Sequence, residues 1–345
     1  MRGGARMKPV AKKTLLIAFI CVTCWAAFTV AFQIKFMGLA WYEEVQWERT
    51  QRVLNGESGT PWQYRLLTES LVTLTVYAFD AIGIPRPIGT AFVLIRLIQN
   101  FAIFSLALVW YRRLGLTVME GLLGIALLGW GMCHALYDGD LTFNTYTDMS
   151  IFLGSATLIS MRKYYWMIPI LILAPLNRET SGWLSMMVLV SAIQFTPRLG
   201  IDKRALWVGL FGLLMWTLII SGLRLVYGVQ PYIVPTAGVS PILPLLIFNL
   251  TWWRTWVFMF ATFGMLPLFA LYHAKRWPNL LHRFFWVVVP FWFPVHFMLA
   301  HAPETRLFLV PHAVFFVPGA LLGLTAWTSA GGSLGTGSGW GNKTS

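Results

Sequence analysis

The chain has 345 residues, of which 57% are hydrophobic and 11% charged; this lies outside the range of soluble globular proteins and within that of polytopic membrane proteins. The formal charge of +13 does not argue for nucleic acid, because membrane proteins collect Lys and Arg on cytoplasmic loops for reasons of insertion. Cys21, Cys24 and Cys133 are too few for a disulfide framework or a zinc site of about four ligands.

The basic N-terminus, MRGGARMKPVAKK, precedes an apolar run from Leu15 to Ile34. That run approaches the ~20 residues needed to cross a bilayer, and no A-x-A-like cleavage site follows, so it reads as an uncleaved first helix. Long apolar windows then predict further spans at 88–111, 117–137, 148–161, 164–177, 180–196, 205–225, 252–272, 284–301 and 307–326. With 14–34 this makes an all-α bundle of about ten spanning helices, one polytopic membrane domain over residues 1–326. Residues 327–345 form a Gly/Ser-rich tail, expected to be disordered.

Basic clusters mark alternate connections: Arg112 and Arg113, Arg162 and Lys163, Arg198 with Lys203 and Arg204, and Lys275 with Arg276 and Arg283. They place both termini in the cytoplasm of a multi-pass cell (inner) membrane protein. Most acidic residues then fall on the outer side; only Glu120 and Asp202 fall inside. Residues 66–84 are long enough to span, but they carry Glu69 and Asp80 and end at Pro85, Arg86 and Pro87. Keeping the following basic clusters inside requires this segment to lie along the outer interface as an amphipathic helix. Residues 227–250, rich in Pro and Gly, read as a loop that partly re-enters or lies on the membrane.

Function is best sought on that acidic, aromatic outer side. The first outer loop sets Glu43, Glu44, Glu48, Arg49, Arg52 and Arg65 among Trp41, Tyr42, Trp47, Trp62 and Tyr64. Carboxylates beside aromatic faces suit sugar chemistry: a hydroxyl acceptor needs a base, and a pyranose stacks on rings. The same composition also describes an interfacial aromatic belt with solvated charges. The second outer loop, HALYDGDLTFNTYTDMS, holds His134, Asp138, Asp140 and Asp148. A D-x-D spacing can place two carboxylates on a divalent cation, in a metal-free site, or simply in solvent.

The stretch NRETS, Asn177 to Ser181, follows a span of only about fourteen residues, too short at ~1.5 Å per residue to cross comfortably. It is therefore expected at a broken helix below the outer surface, facing a cavity. Neighbouring residues on a helix do not face each other, so Arg178 and Glu179 are expected to pair elsewhere. They serve either a functional site or a structural clamp between the broken helices. The last outer loop, HAPETRLFLVPH, offers His301, Glu304, Arg306 and His312. Arg65, Arg178 and Arg306 together have the forked chemistry to hold one phosphate, although each alone also fits interfacial snorkelling. Arg96, Gln99 and Asn100 share roughly one helical face and read as polar contacts inside the bundle. His296 and His301 suit haem or pigment ligation, or a structural role.

The charged first outer loop, WQYRLLTESL at the entry to an interfacial helix, NRETS in a short broken helix and the late PETRLFL together resemble the GT-C class of integral-membrane glycosyltransferases. The resemblance is spread over most of residues 14–326, and its motifs are short. It implies transfer of a sugar from a polyprenyl-phosphate donor to an extracytoplasmic acceptor, with Glu43 or Glu44 as the acidic catalyst and Arg178 and Arg306 at the lipid phosphate. In that class the acid is often an Asp soon after the first helix; here the first acid after Ile34 is Glu43. Arg65, Asp138, Asp140, Glu179 and Glu304 complete the expected substrate-binding set. A non-catalytic accessory subunit of a larger membrane complex and a transporter are the alternatives. The first is motivated by eighteen Trp and twenty-five Phe, which suit lipid-facing or partner-facing surfaces. The second is motivated by the broken helices, although no repeat of clear period is visible.

Overall fold

A helix in hydrocarbon satisfies its own backbone, turns large apolar side chains outward and keeps small ones for its neighbours. The computed structural model describes residues 11–137, 142–194, 200–232 and 241–331, and it is all-α. Among the described residues, β-structure is limited to a short ladder of Ile193–Gln194 with Gly200–Ile201 and one bridge between Thr60 and Tyr232. Lys12–Met37 shows the expected facing: Leu15, Leu16, Phe19 and Phe28 point outward while Ala18, Val22, Ala26 and Val30 are buried.

Among the described residues, five helices are long and apolar enough to cross a membrane: Lys12–Met37, Pro87–Arg113, Lys203–Tyr227, Asn279–Leu299 and the run Thr305–Trp327. Only the last is enclosed over most of its length, which makes it the centre of the bundle. Val118–His134, Phe143–Ser160, the run Tyr164–Leu176 and Gly182–Ala192 lie where further spans are predicted, but they are shorter. The window 252–272, expected as one span, is two helices, Trp253–Phe263 and Leu266–Tyr272, bent by 72°. The bend has local causes: Gly264 adopts a φ of 56°, favoured by its missing Cβ, and Pro267 opens the second helix without an N–H to donate.

Leu66–Ala81 is a sixteen-residue helix that buries Val72 and Val76 together with polar side chains. Thr68, Glu69 and Thr73 are buried, while Leu71, Leu74 and Tyr77 are exposed. Glu69 accepts a 2.6 Å hydrogen bond from Thr50 in the helix Trp47–Leu54.

Glycines on Val118–His134 set the packing of the centre. A Cβ on Gly124 would lie 2.7 Å from the ring of Tyr111 and 2.9 Å from Leu321, and one on Gly129 2.7 Å from Trp25. Only bare backbone allows these approaches. Gly124→Leu is therefore expected to destabilise the bundle by about 1–3 kcal/mol, visible as a lower unfolding midpoint in detergent. An unchanged midpoint would mean that Tyr111 and Leu321 do not define this contact.

Polar interior residues find partners across helices, as expected of the face holding Arg96, Gln99 and Asn100. Asn100 donates to Thr29 (2.9 Å), Gln99 to Thr147 (2.8 Å), and the Arg96 guanidinium lies 3.9 Å from the ring centre of Tyr146. Basic clusters mark one end of the bundle. Lys203–Tyr227 and Asn279–Leu299 each begin beside a basic cluster and end at the opposite end of the bundle. Thr305–Trp327 starts at that second end and runs back.

Candidate functional site

The end of the bundle away from the basic clusters contains a cavity of about 250 Å³ built from five separate stretches of chain. NRETS supplies one wall. Pro175 helps end the preceding helix, since it can donate no hydrogen bond, and the chain passes through a 3-10 turn, Ala174–Leu176, into extended backbone at Arg178 (φ −159°, ψ 149°). A second 3-10 turn, Glu179–Ser181, starts the next helix. The extended residue separates the two charges. Arg178 Nη1 lies 3.4 Å from Asp148 Oδ2, whereas Glu179 pairs with Arg65 at 3.3 Å.

Asp148 is fully buried. Asn177 Nδ2 donates to its Oδ1 at 2.6 Å and Thr180 Oγ1 to its Oδ2 at 3.3 Å. Asn177 also donates to the Asn144 carbonyl at 2.9 Å, one helical turn before Asp148. The broken helix is thus pinned to Phe143–Ser160 through the Asp148 carboxylate and the Asn144 carbonyl.

The stretch WQYR forms a second wall. Gln63 accepts from the Ser58 amide and donates to the Val53 carbonyl, both at 2.8 Å, and so ties the turn to the helix before it. Tyr64 donates to the Gly228 carbonyl at 2.8 Å, tying the turn to the end of Lys203–Tyr227. With the residues on either side fixed, Trp62 and Arg65 both line the cavity. The Trp62 ring carries three guanidiniums near its centre: Arg49 at 4.7 Å, Arg65 at 4.9 Å and Arg306 at 5.9 Å. The negative faces of an indole ease the mutual repulsion of such cations.

The PETR turn closes the site. Arg306 pairs with Glu304 at 2.5 Å and donates to Thr142 and, at 3.3 Å, to Thr145. Arg224, in the last turn of its helix, where a cation suits the macrodipole, adds a fourth guanidinium to the lining. Tyr232, His296 and His301 complete the polar wall, and Val295, Leu299 and Leu307 the apolar one. Burial, opposed by Arg65, pushes the Tyr232 phenol above its ordinary range, so it stays a hydrogen-bond donor.

Four guanidiniums meet two lining carboxylates, with Asp148 behind Arg178. The Nε atoms of the buried Arg65 and Arg178 have no hydrogen-bond acceptor among the described residues. Three ion pairs among these groups leave one net positive charge, which favours an anion, and the forked donors favour phosphate or carboxylate.

Of the residues expected to form the site, Arg65, Arg178, Glu179, Glu304 and Arg306 line this one cavity. Glu43 and Glu44 do not. Glu43 bonds to Arg86 at 2.9 and 2.5 Å and sits against Gly89, whose absent Cβ leaves room for its carboxylate; Glu44 is exposed. Asp138 and Asp140 lie outside the described residues, as does the D-x-D spacing for which a divalent cation is considered. Among the described residues, no three His, Cys, Asp or Glu side chains group as a metal ion would need.

Tyr232 enters the site without having been singled out, Trp62 was visible only as one ring of the aromatic first loop, and Asp148 only as one more loop acid. Its signal is the spacing N-x-x-x-D, which sets Asn144 and Asp148 on one helical face. No family model matches the chain, and neither a curated protein nor a solved structure does.

Proposed function

We propose that the chain is a multi-pass glycosyltransferase of the cell membrane that takes a sugar from a polyprenyl-phosphate donor and passes it to an extracytoplasmic acceptor. The convergence of Arg65, Arg178, Arg224 and Arg306 on one cavity, with Val295, Leu299 and Leu307 as its apolar wall, carries this reading. A lipid phosphate needs both kinds of surface. About ten crossings, with Leu66–Ala81 held at the outer interface, put both termini in the cytoplasm and the cavity on the outer side. Basic clusters at the other end of the helices support that orientation.

In this mechanism the base is Glu179 rather than Glu43 or Glu44. Glu179 lines the cavity, its carboxylate pairs with Arg65 at 3.3 Å, and 27% of its side chain is exposed. Its carboxylate takes the proton of the acceptor hydroxyl, the acceptor oxygen attacks the anomeric carbon, and the bond from that carbon to the phosphate oxygen breaks. The departing phosphate leaves with the electron pair, and its charge is stabilised by Arg178 and Arg306.

Reconstituted protein supplied with a polyprenyl-phosphate sugar tests the assignment. Glu179→Gln is expected to slow transfer by about 10²–10⁴-fold while the protein stays folded. Glu43→Gln and Glu44→Gln are expected to retain turnover, because neither lines the cavity. Loss of transfer in Glu43→Gln with full activity in Glu179→Gln would reverse the assignment. Absence of transfer in the unaltered protein, together with partners retained in constant stoichiometry through mild extraction, would favour an accessory subunit.

A further inference from the structure

The opposite end of the bundle carries a second recess, about 710 Å³, lined by Tyr272, His273, Lys275, Arg276, Trp327 and the apolar pair Phe269 and Leu324. Among the described residues, no carboxylate lines it. Asn279–Leu299 starts next to this recess and ends in the lining of the arginine cavity. Twenty-one helical residues cover ~30 Å, the thickness of a hydrocarbon core. Thr305–Trp327 makes the same journey in reverse, from Arg306 to Trp327. The two recesses therefore belong to opposite membrane faces.

The cations of the second recess are held on a rigid turn. Trp277, directly after Arg276, is buried and packs on Gly319, to whose carbonyl its indole N–H donates at 3.3 Å. The His273 ring packs on Gly323, where a Cβ would lie 2.7 Å from it. Gly319 and Gly323, one helical turn apart, thus fix both ends of the turn that presents Lys275 and Arg276. Around the cations the surface is apolar: Tyr272 is 82% exposed, Trp327 68% and Leu268 65%. A recess for a soluble anion would be walled by polar groups. Here a cationic rim meets an aromatic and aliphatic surface of the kind found where headgroups meet acyl chains.

We propose that this recess binds an anionic phospholipid, with the phosphate on Lys275 and Arg276 beside His273 and the acyl chains along Leu268, Phe269 and Leu324. The assignment does not depend on the transfer reaction; it depends on the helices crossing a membrane.

Native mass spectrometry of the full chain in mild detergent, titrated with equal mole fractions of phosphatidylglycerol and phosphatidylcholine, tests it. The unaltered protein is expected to retain phosphatidylglycerol preferentially, and Lys275→Gln with Arg276→Gln to lose about five-fold of that preference for each charge removed. The charge-keeping pair Lys275→Arg and Arg276→Lys, and Lys203→Gln with Arg204→Gln at another basic cluster, are expected to keep it. Equal retention of both lipids by the unaltered protein, or the same preference after Lys275→Gln and Arg276→Gln, would overturn the proposal. Displacement of the lipid by inorganic phosphate at matched concentration would assign the recess to a soluble anion instead.

Discussion

Asp148→Ala is expected to destabilise the folded protein by about 3–5 kcal/mol, the cost of leaving a buried partner charge uncompensated. Asp148 and Arg178 expose 0% and 3% of their side chains, and water has little access to either. Removing the carboxylate also removes the acceptor for Asn177 and Thr180, so the broken helix loses its link to Phe143–Ser160 at three points. Asp148→Asn, which keeps the shape and one acceptor, is expected to lose less. Asp148→Ala combined with Arg178→Met removes both charges and is expected to recover part of the loss, because an apolar pair avoids the desolvation that an ion pair must offset. Unfolding followed by tryptophan fluorescence in detergent measures all three variants. A loss below about 1 kcal/mol in Asp148→Ala, the scale of an exposed pair, would show that the pair is solvated.

A second large functional loss, beside that of Glu179→Gln, is expected at Arg306. Arg306→Gln should slow transfer by about 10²–10³-fold, as removal of a donor aimed at developing charge does elsewhere. Thr142 and Thr145 orient one end of the guanidinium and Glu304 the other, so the fork is fixed before a ligand arrives. Arg306→Lys keeps the charge but not the fork and should recover only part of the activity. Glu304→Gln with Arg306→Gln separates this loss from misfolding, since it leaves no lone carboxylate beside the missing cation. Steady-state transfer in vesicles, with folded protein quantified in parallel, is the readout. Equal turnover in Arg306→Gln and the unaltered protein would remove Arg306 from the phosphate site.

That the chain is a set of apolar helices was legible because hydropathy over about twenty residues is a strong signal, although of about ten expected spans only five among the described residues are long and apolar enough to cross. The break within 252–272 was not legible, although Gly264 and Pro267 spell it out: hydropathy averages across a bend that the backbone cannot. The placing of Arg65, Arg178 and Arg306 together was readable from their shared side of the topology. That they line one cavity depends on Gln63, Tyr64 and Asp148, whose roles are tertiary contacts with no local pattern. That Glu43 stands outside the cavity was hidden for a comparable reason. It is the first acid after the first helix, but its partner Arg86 stands 43 residues on, between two prolines.

The reading rests on a lipid phosphate occupying the arginine cavity. A polyprenyl-phosphate analogue with a photoreactive group next to the phosphate, irradiated with the membrane-reconstituted protein and mapped by peptide mass spectrometry, tests this most directly. Labelling at Trp62, Tyr232, Leu299 or Leu307, abolished by Arg306→Gln, is the predicted result. Labelling confined to residues away from that cavity, or labelling of it that persists in Arg306→Gln, would contradict the account.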